Sequence, residues 1–161
     1  MVRKSTAFVV ASWVLVVLCA GFIFFMSSNT DTGLNDDLGL FSLVFQDLKA
    51  LQAQLLGPGV DVVSSIAHFC EYAVFGALLA NALRCHMSLR RACLVAVACA
   101  SLYGVSDEFH QLFVPGRMCD PMDWLVDTAG AALGSGLAYL QLRSRRRKGE
   151  ERLGKEPLPK R

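Results

Sequence analysis

Charge is what this chain has little of. Asp, Glu, Lys and Arg together make up 19% of its 161 residues, below the roughly 25% of an ordinary soluble domain. With apolar residues at 53% and a positive mean hydropathy, that scarcity excludes a solvated, disordered chain. The six cysteines contain no Cys-x-x-Cys pair, so neither a disulfide framework nor a cysteine zinc site is indicated. Cys19, Cys70, Cys85, Cys93 and Cys99 fall in or beside apolar runs and read as small packing residues, and Cys119 falls in a loop. There is no nucleophile elbow, phosphate loop, dinucleotide fingerprint or H-E-x-x-H sequence, which removes the enzyme classes those motifs carry.

What the chain does have is long apolar runs. A helix needs about 20 apolar residues to cross the hydrocarbon core, and four stretches reach that length: 6–26, 62–83, 92–113 and 122–142. The first reads as a retained anchor, because the candidate cleavage site "LCA" carries a large Leu18 at its −3 position. Of the 16 Lys and Arg residues, all but Lys49 and Arg117 lie before the first run, between the second and third, or after the fourth. Cytoplasmic loops retain basic residues, so a multi-pass cell-membrane protein with both termini in the cytoplasm is expected. The basic stretch 143–161 is too polar to fold alone and is expected to be a disordered cytoplasmic tail meeting anionic headgroups. Its charges are accounted for by topology, so no nucleic-acid partner is expected.

Between the first two runs, Leu38, Phe41, Val44, Phe45, Leu48, Leu51 and Leu55 recur at helical spacing. Gly57–Pro58–Gly59 ends the pattern. This segment predicts an amphipathic helix lying on the outer membrane surface, or packed over the bundle as a lid. The expected fold is therefore an all-α, integral-membrane four-helix bundle, 1–142, with this additional outer helix. In the fourth run Gly130-x-x-x-Gly134 permits close helix approach.

The ionisable residues of the apolar runs are not scattered. The stretch "SDEFHQLF" follows the uncharged "ACLVAVACASLYGV", so Asp107, Glu108, His110 and Gln111 sit in the last turns of the third run. His68, Glu71 and Tyr72 sit in the outer half of the second, and Asp123 and Asp127 begin the fourth. Spacings of three and four give each helix one polar stripe. Facing lipid would cost about a few kcal/mol for each such group, so the stripes should face one another or a wet cavity. Arg117, in the outer loop, is a bidentate partner for a carboxylate. Ser101 and Tyr103 are further hydroxyl candidates.

The segments "AHFCEYAVFGALLANALR" and "LYGVSDEFHQLFVPGRMCDPMDWLVDTAGAALG" resemble the VanZ-like family of small bacterial membrane proteins, as does the "FIFFMSSNT" exit of the first run. The resemblance covers about residues 8–142. It maps the family's polar signature onto His68, Glu71, Tyr72, Asp107, Glu108, His110, Gln111, Arg117, Asp123 and Asp127. Ser64 and Ser65 stand where relatives often carry basic residues before the histidine. The resemblance implies an association with tolerance to the lipoglycopeptide teicoplanin and assigns no reaction, so whether the protein is an enzyme is left open.

Three readings follow. The polar groups form a buried network fixing helix register. Alternatively, they line an outward-facing pocket for a lipid-linked cell-wall precursor or a lipoglycopeptide, among membrane lipids. In the third reading they perform intramembrane acid–base chemistry through His68 or His110. Neither His68-x-x-Glu71 nor Asp107-x-x-His110 is a zinc sequence, so no metal and no cofactor are expected. A homo-oligomer is compatible with all three.

Overall fold

The computed structural model describes residues 5–28, 40–57, 61–115 and 119–153. Among them are five helices and no strand: α1 Thr6–Ser28, α2 Leu40–Leu56, α3 Val62–Leu83, α4 Leu89–Gln111 and α5 Pro121–Leu153. The all-α expectation holds. Three of the helices, α1, α3 and α4, are long and apolar enough to cross a membrane. The sequence reading expected four. The fourth, α5, is 33 residues long but is not among them, because Asp123 and Asp127 open it, glycines and serines interrupt it, and arginines fill its last third.

The helix does not break at residue 142, where the sequence reading ended the membrane domain. The helix runs through it to Leu153, so residues 143–153 are helical and not a disordered tail. Arg, Lys and Glu are good helix formers, and an Arg147 Nε–Glu151 Oε1 contact of 3.4 Å bridges one turn. The last part of the expected tail, 154–161, lies outside the described residues.

Local chemistry sets the other helix ends. Gly57, with φ +91°, stops α2 by taking the left-handed conformation that glycine adopts without a Cβ clash. Asp61 caps α3, its Oδ1 accepting from the Ser64 backbone N–H at 3.1 Å. Lys49 Nζ reaches Asp61 Oδ2 at 3.1 Å, and the Val63 N–H donates to Gln52 Oε1 at 2.7 Å. These contacts tie α2 to the start of α3, the only helix it touches among the described residues. Leu43, Val44, Leu48, Leu51 and Leu55 of α2 are left exposed.

The bundle is organised around α3 and α5, the most extensively packed pair, with α4 completing a triangle and α1 lying against α3 and α4. α3 and α5 run in one direction, since Ser65 meets Asp123 and Gly76 meets Ser135, and α4 runs in the other, since Ser101 meets Thr128 while Glu108 meets Asp120. Glycines set the α3–α5 distance. A Cβ at Gly130 would strike the Phe69 backbone carbonyl, one at Gly134 the Ala73 carbonyl, and one at Gly76 the Ala131 carbonyl. The expected close approach at Gly130-x-x-x-Gly134 is thus present, completed by Gly76 on the facing helix. Ser135 Oγ donates to the Gly76 carbonyl at 3.0 Å across the same seam. Where helices associate without a strong hydrophobic force, such backbone proximity supplies the dispersion contact that holds them.

α1 is attached by Val16 and Ile23, which enter the apolar core, and by polar tethers spread along it. Asn81 Nδ2 donates to Ser12 Oγ at 3.2 Å, Tyr103 Oη to the Ala20 carbonyl at 2.8 Å, and Gln111 Nε2 to Ser27 Oγ at 3.3 Å. Tyr103, a candidate hydroxyl for the polar cluster, therefore serves this attachment. The cysteines meet the packing expectation in part: Cys93 is buried, but Cys70 and Cys99 face outward with Cys119, and all six are free.

The glycine seam makes a direct prediction. Gly134→Ala should destabilise the protein by about 1–3 kcal/mol, the usual cost of overpacking, because its methyl meets backbone that is itself helical. Gly136→Ala, where an added Cβ meets nothing within 4 Å, should be neutral or slightly stabilising. Thermal unfolding of both variants in detergent separates them, and equal losses would sink the seam as the source of α3–α5 packing.

Candidate functional site

The helix directions bring one end of each helix to one place. α3 and α5 begin there, and α1 and α4 finish there. At this end Tyr72 and Asp127 are 0% exposed, Asp107 and Gln111 2%, Glu108 4% and His68 8%. Six of the ten residues picked out in the sequence are therefore buried together. Each arrives from the stripe that its helical spacing predicts, on α3, α4 or α5.

His68 and Asp127 form the centre. His68 Nδ1 stands 3.3 Å from Asp127 Oδ1, an ion-pair distance whose alignment is not that of a hydrogen bond. Glu71 and Asp107 lie within electrostatic reach of the same imidazole. Gly104 of α4 faces Asp127, where a Cβ would come within 3.3 Å of Asp127 Oδ2. The bare backbone at Gly104 makes room for the carboxylate. Around this centre, Asp120 N–H donates to Glu108 Oε2 at 2.8 Å, and Ser65 Oγ donates to Asp123 Oδ1 at 3.3 Å. Ser65 thus occupies the rim at a position where the resemblance led one to look for a base.

The remaining candidates divide. His110 is half-buried at the α1 side, its Nε2 3.0 Å from Ser28 Oγ and its ring tilted at 31° to that of Phe24, with centroids 4.6 Å apart. Glu71 and Asp123 are half-buried. Arg117 lies outside the described residues. Ser101 is drawn away from the cluster to Thr128 and Trp124. Three contributors were not foreseen. Ser27 and Ser28 deliver α1 to Gln111 and His110, and Gly104 seats Asp127. The serines were visible in "FIFFMSSNT" as the first polar residues after an apolar run. Gly104 carried no signal, because its role depends on a helix more than twenty positions away.

The main polar feature is a set of buried side-chain atoms left without hydrogen-bond partners, most of them carboxylate oxygens. Both oxygens of Asp107, both of Asp127, Glu108 Oε1, His68 Nδ1 and the Tyr72 hydroxyl have no hydrogen-bond partner among the described residues. Ser27 and Gln111 flank Asp107 without reaching hydrogen-bond geometry. Buried polar groups in folded proteins are overwhelmingly paired, so each exception calls for an explanation. Three buried carboxylates share one imidazole, so a protonated His68 can balance the charge of one of them and no more. No group of three or more His, Cys, Asp and Glu side chains with metal-holding geometry occurs among the described residues.

The pair and the orphans should respond oppositely to mutation. His68→Gln strands Asp127 and should cost about 3 kcal/mol, as breaking buried ion pairs does. Asp107→Asn replaces an unpartnered acid by a neutral isostere and should leave stability unchanged or raised. Denaturant unfolding in mixed micelles reads both, and equal destabilisation would mean that Asp107 has a partner as valuable as that of Asp127.

The family model VanZ/LLP1 matches residues 12–142, nearly the whole span of the resemblance seen in the motifs. The chain belongs to the VanZ/LLP1 family and is a membrane protein. Comparison with curated proteins and with solved structures gave no match.

Proposed function

We propose that this VanZ/LLP1-family protein crosses the cell membrane four times, with both termini in the cytoplasm. Its buried polar site, at the outer end, binds the headgroup of a lipid-tailed molecule and so contributes to tolerance of teicoplanin-type lipoglycopeptides. The topology rests on the basic residues Arg84, Arg90 and Arg91 and those from Arg143 to Arg152, which the helix directions put at the end opposite the site. In this reading α5 is the fourth span, its acidic start shielded by α3 and α4. The exposed leucines of α2 lie in the outer interface beside the site entrance.

The observation that carries the binding reading is the set of unpartnered buried acceptors on Asp107, Glu108 and Asp127. Helix register does not need them, because the Gly76, Gly130 and Gly134 contacts already fix how α3 meets α5. Buried acceptors without donors are costly, and a ligand that brings donors removes the cost. The chemistry asked for is hydroxyl and ammonium groups on an apolar tail. An acidic lining also favours the sugar and amine portions of a lipid-linked cell-wall precursor over its phosphates.

The His68–Asp127 contact supports a second reading, an intramembrane acid–base enzyme acting on the same class of molecule. A carboxylate beside an imidazole orients it and favours its protonated form. The two readings part on turnover: an enzyme returns a chemically altered lipid, whereas a binding module returns the one it was given.

Growth of expressing cells in graded teicoplanin tests the proposal. His68→Ala, Arg117→Ala and Asp107→Asn should each abolish the tolerance, with Asp107→Asn retaining normal membrane level and melting temperature. Undiminished tolerance in Asp107→Asn and His68→Ala at equal expression would end this reading. Mass spectrometry of lipids recovered after incubation with purified protein then separates binding from turnover.

A further inference from the structure

A second concavity lies away from the polar site. It is a groove of about 740 Å³ between α4 and α5, walled by Val97, Ala98, Ala132 and Gly136, with Arg90 and Tyr139 at its basic end. Its far end is closed by a hydrogen-bonded plug. Ser101 Oγ and Thr128 Oγ1 are 2.9 Å apart, and Trp124 Nε1 donates to the Ser101 carbonyl at 3.2 Å and to its hydroxyl at 3.1 Å. Residues 90 to 101 of a helix rise about 16 Å, close to half of the roughly 30 Å hydrocarbon thickness. The groove is thus one leaflet deep, cationic at the headgroup level and apolar below it.

We infer that this groove binds one acyl chain of an anionic phospholipid from the leaflet at the basic end, with Arg90 and Arg143 holding the phosphate. Arg143 is placed for this by Tyr139, over whose ring its guanidinium stands at 5.9 Å. No carboxylate lines the groove among the described residues, so nothing there opposes an anion. Guanidinium groups suit phosphate because their planar fork donates two parallel hydrogen bonds. A second copy of the chain, seated here in the same orientation, would bring its own Arg90 and Arg143 to the same level, a repulsion that an anionic lipid turns into attraction. The inference is independent of the ligand proposed for the polar site and requires only that α4 and α5 lie in the bilayer.

The plug supplies the probe. The chain has two tryptophans, so a Trp13→Phe background leaves Trp124 as the single reporter at the closed end of the groove. In nanodiscs, phosphatidylglycerol or phosphatidylcholine carrying brominated chains is titrated into an unbrominated host. Half-quenching of Trp124 should need about fivefold less of the brominated phosphatidylglycerol, the preference one basic residue at the surface confers. Arg90→Gln with Arg143→Gln, both at exposed positions, should erase that preference. Gly136→Leu, whose side chain enters open space, should bring quenching by phosphatidylglycerol down to that by phosphatidylcholine. Equal quenching by the two lipids in the Trp13→Phe protein overturns the inference, as does a preference that survives loss of both arginines. A change from dimer to monomer in Gly136→Leu with quenching unaltered also overturns it, and assigns the groove to a second copy.

Discussion

The contact between the backbones of α3 and α5 is the constraint on which the rest of this structure depends. Gly76, Gly130 and Gly134 let each helix lie against the other's carbonyl groups, a proximity that a single methyl would prevent. In a bilayer no hydrophobic force separates a helix–helix contact from a helix–lipid one, so fit and dispersion decide. Once this seam is set, His68 faces Asp127 as a consequence of register. α4 then closes over both, with Gly104 leaving room for the carboxylate.

This division of labour bears on how the buried acids are read. A polar network that held the bundle together would be satisfied internally, since a half-satisfied network is worse than an apolar core. Here the seam holds the helices, while Asp107, Asp127 and Glu108 keep oxygens without partners among the described residues. Different residue types do different things: glycine and alanine pack the helices, while the acids and the imidazole gather in the polar cluster. α1 joins the packed core through Val16 and Ile23, is held by a few hydrogen bonds spaced along its length, and ends at the polar cluster. The two ends of the bundle then differ in chemistry, acidic and closed at one, basic with an open apolar groove at the other.

Much of the polar cluster was legible because helical spacing of three and four is a local property. His68 with Tyr72, Asp107 with Gln111, and Asp123 with Asp127 share faces on any α-helix, and the cost of exposing such groups to lipid forces those faces inward. Tyr103 and Ser101 were less legible because a hydroxyl is satisfied equally well by α1, by Thr128 or by the cluster. The fourth helix was misjudged at its far end. Residues 143–153 were weighed for apolar content, but helix continuation there depends on propensity and i,i+4 pairing, which polar residues supply. The helix α2 was placed correctly in its stop at Gly57, a signal carried by one residue's backbone freedom.

The sequence by itself determined the membrane class, the family, the apolar helices and the polar stripes, because hydropathy and periodicity are sums over neighbouring residues. Only the tertiary structure decided which stripe meets which. That His68 pairs with Asp127 while Asp107 stays unpartnered, and that Gly104 seats a carboxylate, follow from the register and depth of helices joined by no covalent link. The groove between α4 and α5 belongs to the same class of fact: it is a space between two elements, and the residues that bound it are mostly apolar and small, without a signal until those elements are set side by side.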